Sequence, residues 1–428
     1  MISEGMRAFA GRRVLLLQGP VGPFFARLTA DLRSVGATVH KVNFNAGDWF
    51  FYRTGAVNYR GPMEEWPEWL ATFLRELDIE VVLLFGDCRP IHQCAREVAA
   101  REGVEVGVFE EGYVRPDYVT LERFGVNGYS QLPRTPKSYG KPPKALPAHP
   151  VGDTFGSMAG YAALYFVMAW LGQWLFPHYR HHRPVAATAL WPWIRSIWRK
   201  RWYRWTERGM HDRLSVELKD RYFLAPLQVF DDAQVEVHAN FQGVEGFIQS
   251  TMNSFALRAP AGTMLVFKHH PMDRGHRNYQ SLIDNLSQLN GISGRVLYIH
   301  DQHLPTLLRN ARGVVVINST TGMSALHHGR PTFVCGTALY DMPGLTYQGE
   351  LDDFWACAPG QQPDRALYKR YRQHLIAATQ INGSFYKRLP QAVTMTGLVW
   401  TARRQTARGL VRPLRPTGSK PQAQPAEA

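Results

Sequence analysis

The sequence predicts an α/β protein in which two domains, each built on a parallel sheet covered by helices, face each other across a central cleft. Two observations carry this prediction. Short apolar runs alternate with stretches of helical spacing in the first third of the chain, and the same alternation returns from Phe223 onward. Strands separated by helices of this length form βαβ units and therefore parallel, Rossmann-like sheets. At 428 residues the chain is long enough for two such domains.

The first domain is predicted over residues 1–145. The apolar runs VLLLQGP, TVHKVNFN, IEVVLLFGD and VEVGVFEEG are interpreted as strands, and stretches with helical periodicity lie between them. Residues 132–150 are rich in Pro and Lys, which is typical of a linker.

The second domain is predicted over residues 216–365. Its strand candidates are FLAPLQVF, TMLVFKHHP, RVLYIHD, GVVVINSTTG and PTFVCG. Helices are expected over 366–402. The tail, 403–428, is polar and rich in Pro, so we expect it to be disordered.

The segment between the domains, 146–215, is predicted to be a linker followed by an amphipathic, aromatic and basic helical insertion. Residues 158–176 are apolar enough to cross a bilayer, but a single crossing would separate the two halves of the cleft, so we reject a span. Residues 178–208 carry eight Lys or Arg against one Glu, with interleaved tryptophans. This mixture favours a membrane interface. The alternatives are a helical hairpin with a solvated basic face and, ranked lower because no recognition module is found, a nucleic-acid surface.

Charge and cysteine content limit the partners and the compartment. The formal charge of +14 indicates an anionic partner. The four cysteines make no C-x-x-C pair, which argues against a disulfide framework and a structural zinc site and fits a reducing compartment. Because the first residues lack the pattern of a secretory signal, we expect a cytoplasmic protein.

Polar residues follow the predicted strands of the first domain. Two adjacent acids and a glycine follow VEVGVF, and they are either a solvated loop edge or part of a catalytic cleft: Glu110, Glu111 and Gly112. Glycine there lets the chain turn sharply. Candidates for substrate binding follow two other strands: Gln18, Gly19, Pro20, Asp87 and Arg89. Strand ends of doubly wound domains point into one crevice, so we expect these residues to meet there.

The second domain offers two candidate phosphate contacts. Lys268, His269 and His270 follow TMLVF, where a cation or imidazole could contact a phosphate or protonate a leaving group. A surface histidine pair is the alternative, and a metal site that includes His276 is disfavoured because adjacent histidines rarely bind one ion. Hydroxyls and a glycine at a predicted helix start form the other candidate, for which ordinary N-capping is the alternative: Asn318, Ser319, Thr320, Thr321 and Gly322.

The motifs FEEGYVRPDYVTLE, KHHP and NSTTG, in this order and spacing, resemble the capsule polysaccharide biosynthesis and export family of Gram-negative bacteria, and most closely its single-module β-Kdo transferases. The resemblance covers roughly residues 12–370. It implies a GT-B-like glycosyltransferase in which Glu111 matches the catalytic carboxylate, with Glu110 beside it. His270 matches the histidine that contacts the CMP phosphate. Ser319 and Thr320 match the hydroxyls that bind the same phosphate, and Arg115 lies in the acidic motif as a further substrate-binding candidate.

The implied reaction moves Kdo from CMP-Kdo to lyso-phosphatidylglycerol, on the inner face of the cytoplasmic membrane, and begins a poly-Kdo linker. It uses no cofactor and no metal. The implied partners are the CMP-sugar donor, the anionic phospholipid acceptor, the inner membrane surface, and a second Kdo transferase with the capsule export complex; no nucleic acid is implied. Net retention would make Glu111 a nucleophile, and inversion would make it a general base. The alternative function is a non-catalytic adaptor of a capsule export assembly.

Overall fold

The structure is a computed structural model, and it describes residues 2–145, 147–179, 190–239 and 241–400. The expected disordered tail, 403–428, lies outside the described residues. The strands and α-helices described in the first domain are, in chain order: β1 (Arg13–Leu16), α1 (Phe24–Ser34), β2 (Thr38–Asn43), α2 (Ala46–Phe51), β3 (Val57–Asn58), α3 (Trp66–Glu76), β4 (Val81–Phe85), α4 (Pro90–Arg101), β5 (Glu105–Glu111) and β6 (Tyr118–Arg123).

The α-helices that the structure describes between the domains are α5 (Phe155–Leu171), α6 (Leu190–Thr206) and the short α7 (Met210–Asp212). The helical character predicted for this segment is therefore confirmed in its described part. Among the described residues, no helix has both the length and the apolar content that a membrane crossing requires.

The remaining elements begin with the second domain and end with a return to the first. In chain order they are β7 (Tyr222–Pro226), α8 (Ala233–His238), α9 (Gly243–Arg258), β8 (Met264–Lys268), α10 (Gln280–Leu289), β9 (Val296–Ile299), α11 (Leu304–Asn310), β10 (Gly313–Val316), α12 (Thr321–His327), β11 (Thr332–Val334), α13 (Leu351–Cys357), α14 (Arg365–Thr379) and β12 (Gln380–Asn382).

The two sheets confirm the predicted α/β architecture with one correction. The second sheet, β11-β10-β7-β8-β9, is parallel throughout. The first sheet has the order β12-β6-β5-β4-β1-β2-β3, and its β6 runs antiparallel to both β5 and β12. The connection between β5 and β6 is too short to hold a crossover helix, so β6 must return antiparallel.

Both sheets are buried on both faces. In the first sheet, Leu15 and Val82 lie in one core while Leu16 and Leu83 lie in the other, and all four side chains are fully buried. Strands buried on both faces appear in the sequence as continuous apolar runs, which is why these strands were predictable.

The C-terminal segment differs from its prediction. Helices were expected over 366–402, but α14 ends at Thr379 and the chain then pairs with β6 as β12. This pairing supplies hydrogen bonds to β6, which would otherwise be an edge strand. The Pro-rich stretch 132–150 was expected to be a linker, but part of it packs against the fold. Tyr139 is buried against Tyr371 of α14, and the Arg370 Nε–H donates to the Tyr139 carbonyl at 2.9 Å.

Candidate active site

The two adjacent acids are the last two residues of β5 and not the start of a loop. Glu110 pairs with Thr120 of β6, and Glu111 pairs with Val119. The strand was predicted to stop before them because their charges end the apolar run. Successive residues of a strand point to opposite faces. The two carboxyl groups therefore enter different surroundings, although they are neighbours in sequence.

Glu110 is held in its neutral form. Burial raises the pKa of its carboxyl to about 8, and the negative charges of Glu111, Asp87 and Asp232 act in the same direction. One opposing contact exists, because the Glu111 backbone N–H donates to Glu110 Oε1 at 2.9 Å. Asp232 belongs to the second domain, so Glu110 faces that domain across the cleft. A carboxyl that is protonated at neutral pH is suited to donate a proton.

Glu111 has a different partner, which lies far away in the sequence. Its Oε1 accepts a hydrogen bond of 2.8 Å from the Tyr386 hydroxyl. Burial raises the pKa of Tyr386 well above its ordinary value, so this hydroxyl remains a donor. Tyr386 lies just after β12 and no motif marks it, so its place beside Glu111 depends on the return of the chain to the first sheet.

Gly112 is required for a reason other than the sharp turn that we predicted. Its φ is not in the left-handed region. A Cβ at this position would lie 1.9 Å from the Tyr118 carbonyl oxygen. The glycine therefore lets β6 start close beside the end of β5, and this fixes the backbone that carries both acids.

Two of the three basic candidates of the second domain are buried and hydrogen-bonded to neighbouring residues. Lys268 is buried, and its Nζ donates to the His300 carbonyl at 3.1 Å. His269 is buried too, with Nδ1 2.6 Å from the Tyr298 hydroxyl, and burial lowers its pKa to about 3. Both contacts join β8 to β9. Lys268 and His269 therefore stabilise the strand end rather than line the cleft.

His270 is the half-buried member of the group, and its tautomer can be assigned. Its Nδ1 accepts a hydrogen bond from the Met272 backbone N–H at 3.2 Å. Burial lowers its pKa to about 4, and the positive charges of Lys268, Arg115 and Arg274 act in the same direction. At neutral pH the imidazole is uncharged and carries its proton on Nε2. It is thus suited to donate a hydrogen bond to a phosphate oxygen and not to transfer a proton.

The segment before α12 contains more structural contacts than expected. Asn318 donates from Nδ2 to the Gln234 carbonyl at 2.9 Å. Ser319 Oγ accepts from the Thr321 N–H at 3.1 Å and donates to its hydroxyl. The Ser319 contact satisfies the first backbone N–H of α12, in the manner of the N-capping alternative that the sequence left open, and the Asn318 contact joins this segment to α8.

Two residues of the same segment have other roles. A Cβ at Gly322 would lie 2.1 Å from the Tyr340 hydroxyl, so glycine permits that packing. Thr320 precedes α12 and makes no capping hydrogen bond with its side chain. Its half-buried hydroxyl is therefore the best candidate in this segment for a ligand contact.

Arg89 is positioned by a buried polar network in the first domain. Its Nη1–H donates to Gln18 Oε1 at 2.6 Å, and its guanidinium lies over the Phe85 ring. The Gln18 Nε2 is 3.1 Å from Asp48 Oδ2 and 3.1 Å from the hydroxyl of Tyr165 in α5. The network fixes Arg89 at the start of α4, where its guanidinium is half-buried.

The other candidates of the first domain support the backbone. Asp87 is fully buried and accepts from the Val126 N–H at 2.8 Å. Pro20 is buried, and a Cβ at Gly19 would lie 2.8 Å from the Phe25 ring. These residues shape the cleft edge without offering a free polar group to a ligand.

The two strand edges approach each other across the cleft. Arg115 of the first domain is close enough to His270 to lower its pKa, and Asp232 of the second is close enough to Glu110 to raise that pKa. Near them, His238 Nε2 lies 3.8 Å from the Cys88 sulfur, a contact that no sequence signal predicted. Over the described ranges, no three His, Cys, Asp or Glu side chains come together as a possible metal site.

A family model described as capsule polysaccharide biosynthesis protein matches residues 80–386, which include both strand edges. The chain belongs to this family. It is 44% identical over 385 residues to the capsule polysaccharide export protein KpsS of Escherichia coli, covering 88% of this chain and 97% of that protein. It is 40% identical over 393 residues to the capsule polysaccharide modification protein LipB of Neisseria meningitidis serogroup B, covering 89% and 93% of the two chains.

A solved structure also aligns with this chain. The β-Kdo 2,7 transferase of KpsC from Thermosulfurimonas dismutans aligns over 84% of this chain and 94% of its own, with 15% identity and a TM-score of 0.39. This similarity concerns the fold alone.

Proposed function

We propose that the chain is a glycosyltransferase that moves Kdo from CMP-Kdo to lyso-phosphatidylglycerol and so begins the poly-Kdo linker of a capsular polysaccharide. One observation carries the proposal: two carboxyl groups with different partners, Glu110 and Glu111, end β5 opposite the uncharged His270 of the second sheet. Family membership supports a role in capsule polysaccharide synthesis. The acids supply groups for chemistry at the sugar, and the second sheet supplies donors for a phosphate.

In the first step, the Glu111 carboxylate bonds to the anomeric carbon of Kdo. The bond from that carbon to the CMP phosphate breaks, and its electron pair leaves with CMP. Glu110, protonated because its pKa is raised to about 8, gives its proton to the departing phosphate. His270 Nε2–H, the Thr320 hydroxyl and Arg115 stabilise the negative charge that develops there.

In the second step, a hydroxyl oxygen of the acceptor bonds to the anomeric carbon, and the Glu111 carboxylate leaves. Glu110, now ionised, takes the hydroxyl proton and returns to its starting state. Two displacements at one carbon give net retention, so a β-linked donor yields a β-linked product. An inverted product would instead assign Glu111 the role of general base.

The acceptor side of the cleft is formed by the first domain. Arg89 presents a half-buried guanidinium there, and the chain as a whole carries a formal charge of +14. Both features suit an acceptor that bears a phosphate. We place the protein in the cytoplasm, peripheral on the inner face of the cytoplasmic membrane, with a second Kdo transferase and the capsule export complex as partners. The reaction as proposed consumes no cofactor.

The proposal is tested by release of CMP from CMP-Kdo in the presence and absence of lyso-phosphatidylglycerol. We expect release that depends on the acceptor, with one glycolipid formed for each CMP. Tight binding of CMP-Kdo with no turnover on any lipid acceptor would instead favour a non-catalytic adaptor of capsule export.

A further inference from the structure

One polar stripe of helix α6 packs on the second domain. The Arg195 Nε–H donates to the Gly275 carbonyl at 2.6 Å, and the Arg199 Nη1–H donates to the Arg274 carbonyl at 2.8 Å. A Cβ at Gly275 would lie 1.9 Å from the Pro192 carbonyl oxygen, so glycine at this position lets the loop lie directly against the helix. The loop is the continuation of the His270 segment.

The C-terminal half of α6 and the residue just after it continue the same contact. The Tyr203 ring stacks on the His300 ring with centroids 3.5 Å apart. The Glu207 carboxylate accepts from the His300 backbone N–H at 2.9 Å and lies 2.7 Å from His300 Nδ1. The inward residues are spaced by about four, as one helix face requires. Glu207, the single acid of residues 178–208, therefore helps to dock the helix on its own domain.

The tryptophans of α6 lie on a separate, exposed stripe. Trp191, Trp198, Trp202 and Trp205 follow one another at intervals of seven, four and three residues, and they are 61%, 60%, 46% and 57% exposed. Trp198 stacks on Trp202 with ring centroids 5.6 Å apart. A soluble helix normally buries its aromatic side chains and exposes its charges. In α6 these four tryptophans are exposed instead.

A cationic stripe lies beside the tryptophans. Its members are exposed and make no ion pair with any residue that the structure describes: Lys200, Arg201, Arg204 and Arg208. The tryptophans and these cations are called the α6 outer face below. The core of a protein–protein interface is depleted of charge, whereas indole rings next to Lys and Arg match the headgroup region of an anionic bilayer.

We propose that the α6 outer face is the docking surface for a bilayer that contains anionic phospholipid. The tryptophans insert at headgroup depth, and the cations contact lipid phosphates. Because the inward face of α6 holds the loop that follows His270, a bilayer bound to this helix lies against the donor side of the cleft. The inference adds to the proposed function by naming the surface that meets the membrane. It rests on that function only for the claim that membrane contact serves glycosyl transfer.

The test is co-sedimentation of the full-length protein with vesicles, without any sugar donor. Vesicles of phosphatidylglycerol and phosphatidylethanolamine should bind the protein at least about tenfold more tightly than phosphatidylcholine vesicles, and added salt should weaken this binding. Trp198→Ala/Trp202→Ala and, separately, Arg201→Gln/Arg204→Gln should each reduce binding about tenfold or more. The matched control is Leu257→Ala/Leu289→Ala, which removes two side chains that are 77% and 83% exposed elsewhere on the second domain. This control should bind like the parent.

Several outcomes would overturn the inference. One is equal binding of the protein to neutral and anionic vesicles, and another is unchanged vesicle binding by both α6 variants. A third is a protein that does not bind vesicles but forms a dimer or an oligonucleotide complex that depends on the tryptophans. All variants alter exposed side chains, so circular dichroism should confirm that they are folded. Vesicle binding needs no turnover, so the two proposals fail separately. A parent protein that does not bind anionic vesicles but transfers Kdo to dispersed acceptor would refute the α6 inference alone. A parent protein that binds vesicles as predicted but transfers no sugar would refute the proposed reaction alone.

Discussion

At the carboxyl edge of the first sheet, Glu110 and Glu111 lie at the end of one strand, whereas the facing edge of the second sheet presents His270 and Thr320. Each edge also contains candidate residues whose side chains are buried and hydrogen-bonded within the fold, such as Asp87 in the first and Lys268 in the second. In the proposed reaction the two edges have different roles. One edge supplies acids for bond making and proton transfer, and the other supplies uncharged donors for a phosphate. Substitutions on the two edges should therefore have different consequences for turnover and for nucleotide binding.

The largest effect is expected from Glu111→Gln on the acidic edge. Replacing the nucleophilic oxygen by an amide should lower kcat by about a thousandfold or more, as expected when a reacting group is removed. The amide keeps an acceptor for the Tyr386 hydroxyl, so the fold and the affinity for CMP should be unchanged. Calorimetric CMP binding and a turnover assay measure the two quantities. A fully active variant would place the chemistry elsewhere.

His270→Ala should show the opposite pattern on the second edge. Loss of the Nε2–H donor is expected to weaken CMP binding by about tenfold or more, since a hydrogen bond to a charged group contributes roughly 1.5 to 3 kcal/mol. The control is His270→Gln, whose amide N–H should restore part of the affinity. Unaltered CMP affinity in the alanine variant would remove His270 from the phosphate site.

The pH profile should reflect Glu110. Its pKa is raised to about 8, so the carboxyl is protonated at neutral pH and ionises as the pH rises through that value. Turnover should therefore fall above about pH 8, by about tenfold per unit. Stability should change in the same direction: between the ordinary glutamate pKa and 8 the folded protein binds more protons than the unfolded chain, so the free energy of unfolding decreases as the pH rises through this window. Glu110→Gln should flatten both curves. A wild-type rate that is constant from pH 7 to 9.5 would contradict the assignment.

The smallest effect concerns the backbone that carries the acids. Gly112→Ala places a methyl group where the Tyr118 carbonyl oxygen lies, and we expect a loss of about 1–3 kcal/mol in the free energy of unfolding. Gly140→Ala is the control, because a Cβ there meets nothing within 4 Å and should leave stability unchanged. Denaturant unfolding compares the two. Equal stabilities would show that β6 can shift at no cost.

The sequence predicted four strands of the first domain and five of the second, because strands buried on both faces are continuous apolar runs. It did not predict β3, β6 or β12, and β12 is a three-residue strand that supplies a partner for β6. It placed Glu110 and Glu111 at the end of a strand, as the structure does, but gave no sign of their different surroundings. Tyr386 lies beside Glu111 because the chain returns to the first sheet as β12. Asp232 lies near Glu110 because the two domains face each other. Likewise, Lys268, His269 and Asn318 are residue types that often bind ligands. Only their contacts in the structure show that their side chains are hydrogen-bonded within the protein.

The most direct test of the central claim is the structure of the product made by the purified protein from CMP-Kdo and lyso-phosphatidylglycerol. Mass spectrometry and NMR together report which sugar is added, how many residues are added, and the configuration at the anomeric carbon. The account predicts one β-linked Kdo on the lipid for each CMP released. An α-linked product would contradict the nucleophilic role of Glu111, and the absence of any transferred sugar would contradict the proposed function as a whole.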